Sequence, residues 1–177
     1  PLHPGGAPAL RTDSWNAGTA NATTLRWHTG AAATDYDYTR GNNVFAYHDR
    51  PNDNTGSPAE AATSTTAFPN LTFDFVPDFT MEPTVTSPPN QQFNITNLFY
   101  WNNVIHDVFY AYGFTEAGRN FQDDNLGRGG AGSDWVRAEA QDGGGTNNAN
   151  FSTPADGSLP RMQMYLWTAP TPDRDGD

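Results

Sequence analysis

A single stretch of the chain sustains a helical period, and that limits the fold to something other than a helical bundle. Across residues 96–112 the apolar residues Leu98, Trp101, Ile105, Val108 and Tyr112 recur at spacings of three and four, with Phe99 and Phe109 widening the stripe. Thr96 is placed to cap the start, and Gly113 to stop the helix. At 1.5 Å rise per residue this makes a rod of roughly 25 Å, enough to cross a domain. So broad and aromatic a stripe predicts a helix buried against sheet, with Leu98, Ile105 and Val108 on the covered face.

Elsewhere the signals are those of short strands and turns. "LTFDFV" at 71–76 alternates, with Leu71, Phe73 and Phe75 on one face, and Pro77 ends it. "WVRAEA" at 135–140 alternates too, and so does "MQMYLW" at 162–167, where Met162, Met164 and Leu166 face one way. Residues 13–50 scatter aromatics among Asn, Thr and Gly, and residues 51–70 read as a polar loop. The 17 glycines and 14 prolines in 177 residues favour long irregular connections. Although only 36% of the chain is apolar, its 11 Phe, 7 Tyr and 5 Trp bury large areas each, enough for one core. The expected class is therefore α+β: a β-rich unit of short, mostly antiparallel strands and long loops around one dominant buried helix. Residues 1–12, "PLHPGGAPALRT", read as an extended arm, with 13–177 as the folded unit.

Charge narrows the partners. Twenty acidic residues face nine basic ones, all arginine, for a net charge of −11. Phosphate binding rests on clustered Lys and Arg, so neither nucleic acid nor an anionic membrane is an expected partner. Cations suit such a chain better, calcium above all. No run is long and apolar enough to span a bilayer, and there is no cysteine for a disulfide or a thiolate metal site. Four N-x-[ST] sequons, at Asn21, Asn70, Asn94 and Asn150, are permissive signals for glycosylation and secretion. The first residue, Pro1, reads as the start of a processed or trimmed chain.

Most motifs that carry chemistry fail on context. Gly127-Arg-Gly-Gly-Ala-Gly132 is a literal G-x-G-x-x-G, but the segment after it alternates like a strand, so a mobile glycine loop is the better reading than a dinucleotide fingerprint. A chain without lysine has no Walker A loop. The histidines, His3, His28, His48 and His106, include no pair at the H-E-x-x-H spacing that a helical zinc site needs. His106, beside Asp107, reads as a hydrogen-bonded structural histidine. No serine sits in a G-x-S-x-G elbow. Glu139 and Asp142 are close in sequence, but what such a pair does depends on its separation in space. Asn147, Asn148 and Asn150 around small Ala149 suit either an exposed edge that pairs with an extended peptide or a loop that satisfies its own backbone. Spacing alone favours the loop.

Taken together, "TRGNNVFAYHDR", "NLFYWNNVIHDVFYAYGFTEAGRNFQ" and "RAEAQDGGGTNNANFSTPADGSLPRMQMYLW" resemble the fungalysin family of secreted zinc metalloendopeptidases, relatives of the thermolysin-type enzymes. The resemblance runs from about residue 13 to Asp177. It implies a β-rich N-terminal lobe, with zinc held by a second, helical lobe that bears H-E-x-x-H, so this chain is expected to be inactive alone. It further implies that "TNNANF" forms the edge of the substrate cleft, with Asn148 and Ala149 holding the main chain of an extended peptide. The terminal "TPDRDGD" is then a linker toward the catalytic helix. Its Asp173, Asp175 and Asp177 are weak calcium candidates, since a twelve-residue calcium loop has its glycine sixth and a glutamate last. The expected partners are the missing catalytic lobe or copies of the chain itself, and the expected location is extracellular. The competing expectation is a non-enzymatic structural or filament-forming protein derived from that lobe.

Overall fold

The computed structural model describes residues 21–78, 80–81 and 90–168. β1 (Val44–His48) precedes the helix α1 (Asn90–Ala111), which is followed by β2 (Val136–Thr146), β3 (Ala149–Ser152) and β4 (Arg161–Leu166). Short 3-10 turns at Ala31–Ala33, Pro58–Glu60 and Glu116–Gly118 punctuate the loops. The strands make one sheet in the order β1-β2-β4-β3. The expected arm at residues 1–12 lies outside the described residues.

The α+β class with one main helix is what the structure shows, but the strand sense differs from expectation. The sheet is mixed rather than mostly antiparallel: β1 with β2 and β2 with β4 run parallel, and only β3 with β4 runs antiparallel. Alternation reports which face a residue takes and is silent on the direction of the neighbouring strand. Direction is set by the connections. The link from β1 to β2 carries α1 over the sheet and so returns the chain in the same sense, as parallel pairing requires. The segment at 71–76 also departs from expectation, because no ladder forms there. Phe73 and Phe75 still pack into the core, so its alternation is realised by an extended segment rather than a paired strand. "WVRAEA" and "MQMYLW" do lie in β2 and β4.

The core lies between α1 and the helix-facing side of β1 and β2. Val44, Ala46, Val136, Ala138 and Ala140 line the sheet, while Ile95 and Phe99 come from α1 and Trp27 closes one side. Three alanines in that set let the helix axis approach closely. On the opposite face of β1, Phe45 and Tyr47 form a second, smaller cluster with Ala61.

The helix itself is turned away from its expected orientation. It starts at Asn90, whose side chain clamps Asp78 by accepting from its N–H at 2.6 Å and donating to its C=O at 2.9 Å. Thr96 therefore sits inside the helix and caps nothing. Gly113 does end it, at φ +101°. Its N–H reaches Tyr110 C=O at 3.1 Å and the Phe114 N–H reaches Phe109 C=O at 3.0 Å, a Schellman pair. The buried face is Ile95, Phe99, Asn103, His106, Asp107 and Tyr110. Leu98 packs at the core margin, but Ile105 and Val108 are exposed, and so are Trp101, Phe109 and Tyr112. The expectation of a covered Ile105–Val108 face is thus overturned. Polar side chains turn inward because each finds a partner there. Asn43 Nδ2 donates to Asn103 Oδ1 at 3.0 Å, Trp27 Nε1 to Asp107 Oδ2 at 3.0 Å, and Tyr110 OH to Glu116 Oε2 at 2.7 Å. A satisfied polar group is tolerated in a core, and no amphipathic count can foresee its partners.

This orientation makes a direct prediction. Phe99 is 3% exposed and Phe109 53% exposed. In this chain by itself, Phe99→Ala should cost about 3–5 kcal/mol and Phe109→Ala less than about 1 kcal/mol in denaturant unfolding. Equal losses would mean that the helix faces are wrongly assigned.

Candidate functional site

The outer strand, β3, is short because Asn147 turns the chain at its start. Asn147 takes φ +56°, a conformation asparagine tolerates better than most residues. Its side chain brackets Thr168, donating to Oγ1 at 2.8 Å and accepting from the Thr168 N–H at 2.9 Å. β3 then pairs with β4 in the register Ala149↔Met164 to Ser152↔Arg161. Tyr165 N–H donates to Asn148 C=O at 3.2 Å, so 148–165 belongs to the hydrogen-bonded set. By alternation, Ala149 and Phe151 direct their backbone N–H and C=O to the side away from β4. That side pairs with no other strand among the described residues. The Ala149 N–H is held by the Asn148 Oδ1 at 2.8 Å. Asn150 is committed inward, donating to Gln163 Oε1 at 2.9 Å and to Tyr165 OH at 2.5 Å.

Two grooves flank the outward face of α1. One, of about 510 Å³, runs between Leu98 and Trp101 of the helix and Asn148, Ala149, Met164 and Trp167 of the sheet. The other, of about 280 Å³, is walled by Ile105, Phe109, Phe114, Phe121, Phe151 and Met162. The candidate edge residues Asn148 and Ala149 therefore border the first groove, and Phe151 of the same strand borders the second.

A third constellation escaped the sequence. Residues Asp49, Glu139 and Asp142, all buried, bring carboxylate oxygens within 4.8 Å of one another. Glu139 and Asp142 were visible as sequence neighbours, but Asp49 lies far away along the chain. The parallel register that sets His48 opposite Ala140 delivers it, with the Asp49 N–H on Ala140 C=O at 3.2 Å and the Gly143 N–H on Asp49 C=O at 2.9 Å. Only the direction of β1 against β2 could have announced this cluster. Each acid is held in place. Asp49 accepts from the N–H groups of Asp53 and Asn54 at 3.0 and 2.9 Å. Asp142 accepts from Gln163 Nε2 at 2.6 Å and the Gly144 N–H at 2.5 Å. Glu139 Oε1 accepts from Tyr47 OH at 2.9 Å. Burial, reinforced by the Asp142 and Asp49 carboxylates, pushes the Glu139 carboxyl up to about 7.

The histidines do other work. His28 lies between Phe73 and Phe99, with ring centroids 4.9 and 4.5 Å away, and burial lowers its pKa to about 4, so it is neutral. His106 Nδ1 pairs with Asp107 Oδ1 at 3.0 Å and its Nε2 faces Asn120 Nδ2 at 3.3 Å, the structural role expected of it. A zinc peptidase centre needs nitrogen ligands with an open position. Among the described residues the one cluster of potential metal ligands contains carboxylates only, so this part of the chain does not fit a catalytic zinc. Asp173, Asp175 and Asp177, like His3, lie outside the described residues. Of the sequons, Asn21 and Asn70 occupy exposed turns, Asn94 faces the larger groove, and the Asn150 amide is engaged as above. The glycine loop at 127–132 is pinned, by Asn125 Nδ2 on Gly129 C=O at 2.9 Å and by the Ala131 N–H on Asp156 Oδ2 at 3.0 Å.

The acid cluster sets a pH dependence. A carboxyl with a raised folded-state pKa contributes stability that is full below its unfolded value, near 4.5, and is lost as pH rises through about 7. His28 acts with opposite sign across the same window, because its folded pKa is lowered. The comparison with Glu139→Gln isolates the acid. In divalent-free buffer, the wild-type thermal midpoint should fall relative to that of the variant from about pH 4 to about pH 8. A difference that is flat or of opposite slope would contradict the raised pKa.

The chain is similar to known extracellular metalloproteinases. Extracellular metalloproteinase 2 of Trichophyton tonsurans is 44% identical over 172 residues, which is 97% of this chain and 26% of that protein. The corresponding protein of Trichophyton rubrum is 45% identical over the same shares, and extracellular metalloproteinase 3 of Trichophyton tonsurans is 43% identical over 97% of this chain and 25% of its own length. The chain thus spans about a quarter of the length of these relatives. Their names agree with the extracellular location expected from the sequence, and no described helix is long and apolar enough to cross a membrane. The family model for fungalysin metallopeptidase (M36) matches residues 5–177, and the chain belongs to that family.

Proposed function

We propose that this chain is the N-terminal lobe of a secreted fungalysin-type metalloendopeptidase, non-catalytic by itself, and that β3 supplies the edge on which an extended peptide substrate lies. The observation that carries this reading is the free edge of β3, where Ala149 turns its backbone outward beside an open groove. An unpaired strand edge offers main-chain donors and acceptors that hold any extended peptide, while the adjacent groove selects side chains. Asn148 is placed to act on both, since its side chain occupies the Ala149 N–H until a peptide carbonyl takes over. Zinc and its H-E-x-x-H glutamate would come from the remaining part of the protein, as the resemblance implies. No H-E-x-x-H occurs in these 177 residues.

The outward face of α1 supports the same reading. Trp101, Ile105, Val108, Phe109 and Tyr112 form an apolar strip, which we assign to contact with the catalytic lobe. Left bare, that strip and the β3 edge favour self-association instead, which is the basis of the competing filament-type reading. Asn21 and Asn70 are the exposed sequons that suit a glycan, since the amide of the likewise exposed Asn150 is engaged by Gln163 and Tyr165.

Three experiments test the proposal. In the complete protease, Ala149→Pro deletes the outward N–H where an edge strand tolerates proline, so it should lower kcat/KM for a peptide substrate about tenfold without changing the thermal midpoint. Unchanged kcat/KM would remove β3 from the cleft, and zinc-dependent proteolysis by the purified lobe alone would remove the non-catalytic assignment. Sedimentation of the lobe by itself should show oligomers that disperse when Phe109 and Ile105 are both changed to Ser. A dispersed wild-type monomer at micromolar concentration would end the self-assembly reading.

A further inference from the structure

The Asp49–Glu139–Asp142 cluster has no part in the peptide edge, and its chemistry is unresolved by the hydrogen bonds around it. Three carboxylates without exposure lie within 4.8 Å of one another. Five of their six oxygens accept a hydrogen bond from a named donor. The sixth, Glu139 Oε2, is fully buried and meets no donor. Arg161 Nε stands off at 3.8 Å, and its guanidinium is drawn away because NH1 binds Asn54 Oδ1. Arg137 NH1 donates to Asn54 C=O at 3.0 Å, and its buried Nε meets no acceptor, Glu139 Oε2 included. A bare oxygen on a buried carboxylate is a costly arrangement unless a positive charge completes it.

We propose that Asp49, Glu139 and Asp142 together bind a calcium ion that fastens the end of β1 to β2. The donor set is all oxygen, which suits a hard cation and not zinc or copper. Calcium is favoured over magnesium because magnesium dehydrates reluctantly and demands near-ideal octahedral geometry, whereas calcium accepts irregular cages of protein oxygens. The hydrogen bonds to the other oxygens leave a lone pair free on each and fix the direction in which it points, the usual work of outer-shell partners. Backbone encloses the cluster as well. A Cβ at Gly143 would lie 2.2 Å from Arg50 C=O, and one at Gly144 would lie 2.8 Å from Asp142 Oδ1, so the last part of β2 closes on the acids only because both positions are glycine. A shared proton is the rival solution. It would join two of the carboxyls and leave the third charge uncompensated, whereas a central ion meets all three. This proposal does not rest on the proteolytic reading, although Gln163 links Asp142 to Asn150 of β3 by hydrogen bonds.

The test uses the whole secreted protein, freed of divalent ions by a chelator and then titrated with calcium or magnesium alone. Calcium should raise the thermal midpoint saturably, magnesium should not match it at equal concentration, and Glu139→Gln should abolish the difference. Terbium, a calcium substitute that emits when a nearby ring is excited, gives a second readout, since Tyr47 OH touches Glu139 directly. Terbium emission excited through tyrosine should appear in the wild type, be displaced by calcium, and fall at least about tenfold in Glu139→Gln. Should that variant not fold, Asp142→Asn replaces it in both measurements. No calcium-dependent rise in the wild type, or emission and stabilisation retained in the variants, overturns the proposal. A stability that answers to pH but not to calcium would assign the cluster to a shared proton and overturn it equally.

Discussion

The parallel pairing of β1 with β2 is the constraint on which the rest of this lobe depends. Two neighbouring strands that run the same way need a crossover, and here the crossover contains α1. The helix therefore lies on the face of β1 and β2 made of Val44, Ala46, Ala138 and Ala140, and the core forms where it lands. The same register carries Asp49 to the side of Glu139 and Asp142. It also leaves the far side of β2 to β4, with β3 outermost. Antiparallel pairing of β1 and β2 would reverse the end at which Asp49 emerges and dissolve the carboxylate cluster.

α1 inverts the usual arrangement of an amphipathic helix. Its buried side includes Asn103, His106 and Asp107, and its exposed side carries Trp101, Ile105, Val108 and Phe109. The inward choice is tolerated because the polar groups join a connected set reaching Trp27, Asn43 and Asn120, in which Asn120 Oδ1 alone of that residue's side chain lacks a partner. The outward face is the one that the proposed function assigns to the catalytic lobe. Full burial of a large apolar side chain is worth about 1.5–3 kcal/mol, and these are roughly half covered already, so covering several adds up to several kcal/mol.

How far the sequence could be read depends on what each signal reports. Alternation located β2 and β4, and Gly113 marked the end of α1, because those features are local. The apolar count on α1 identified a helix but chose the wrong face, since it counts hydrophobic residues and cannot see that Asn103 and Asp107 find buried partners. The alternation at 71–76 placed Phe73 and Phe75 toward the core, yet among the described residues no strand pairs with it. Asp49 was illegible for a different reason. Its role depends on a strand pairing between residues remote in sequence, and only the resolved register exposes it. That Ala149 opens an outer strand was expected only through the resemblance, because spacing alone favoured a self-satisfied loop.

The edge and the helix face are not separate features. β3 stands at one border of the sheet, and the grooves beside it are walled on their other side by the outward residues of α1, Trp101 in one and Phe109 in the other. Whatever covers α1 must therefore also wall the space in front of β3. A catalytic lobe seated on that strip would turn an open strand edge into one side of a cleft, with the Ala149 backbone facing the gap. Under the proposed function, β3 supplies the main-chain edge and a partner on α1 gives that edge its opposite wall.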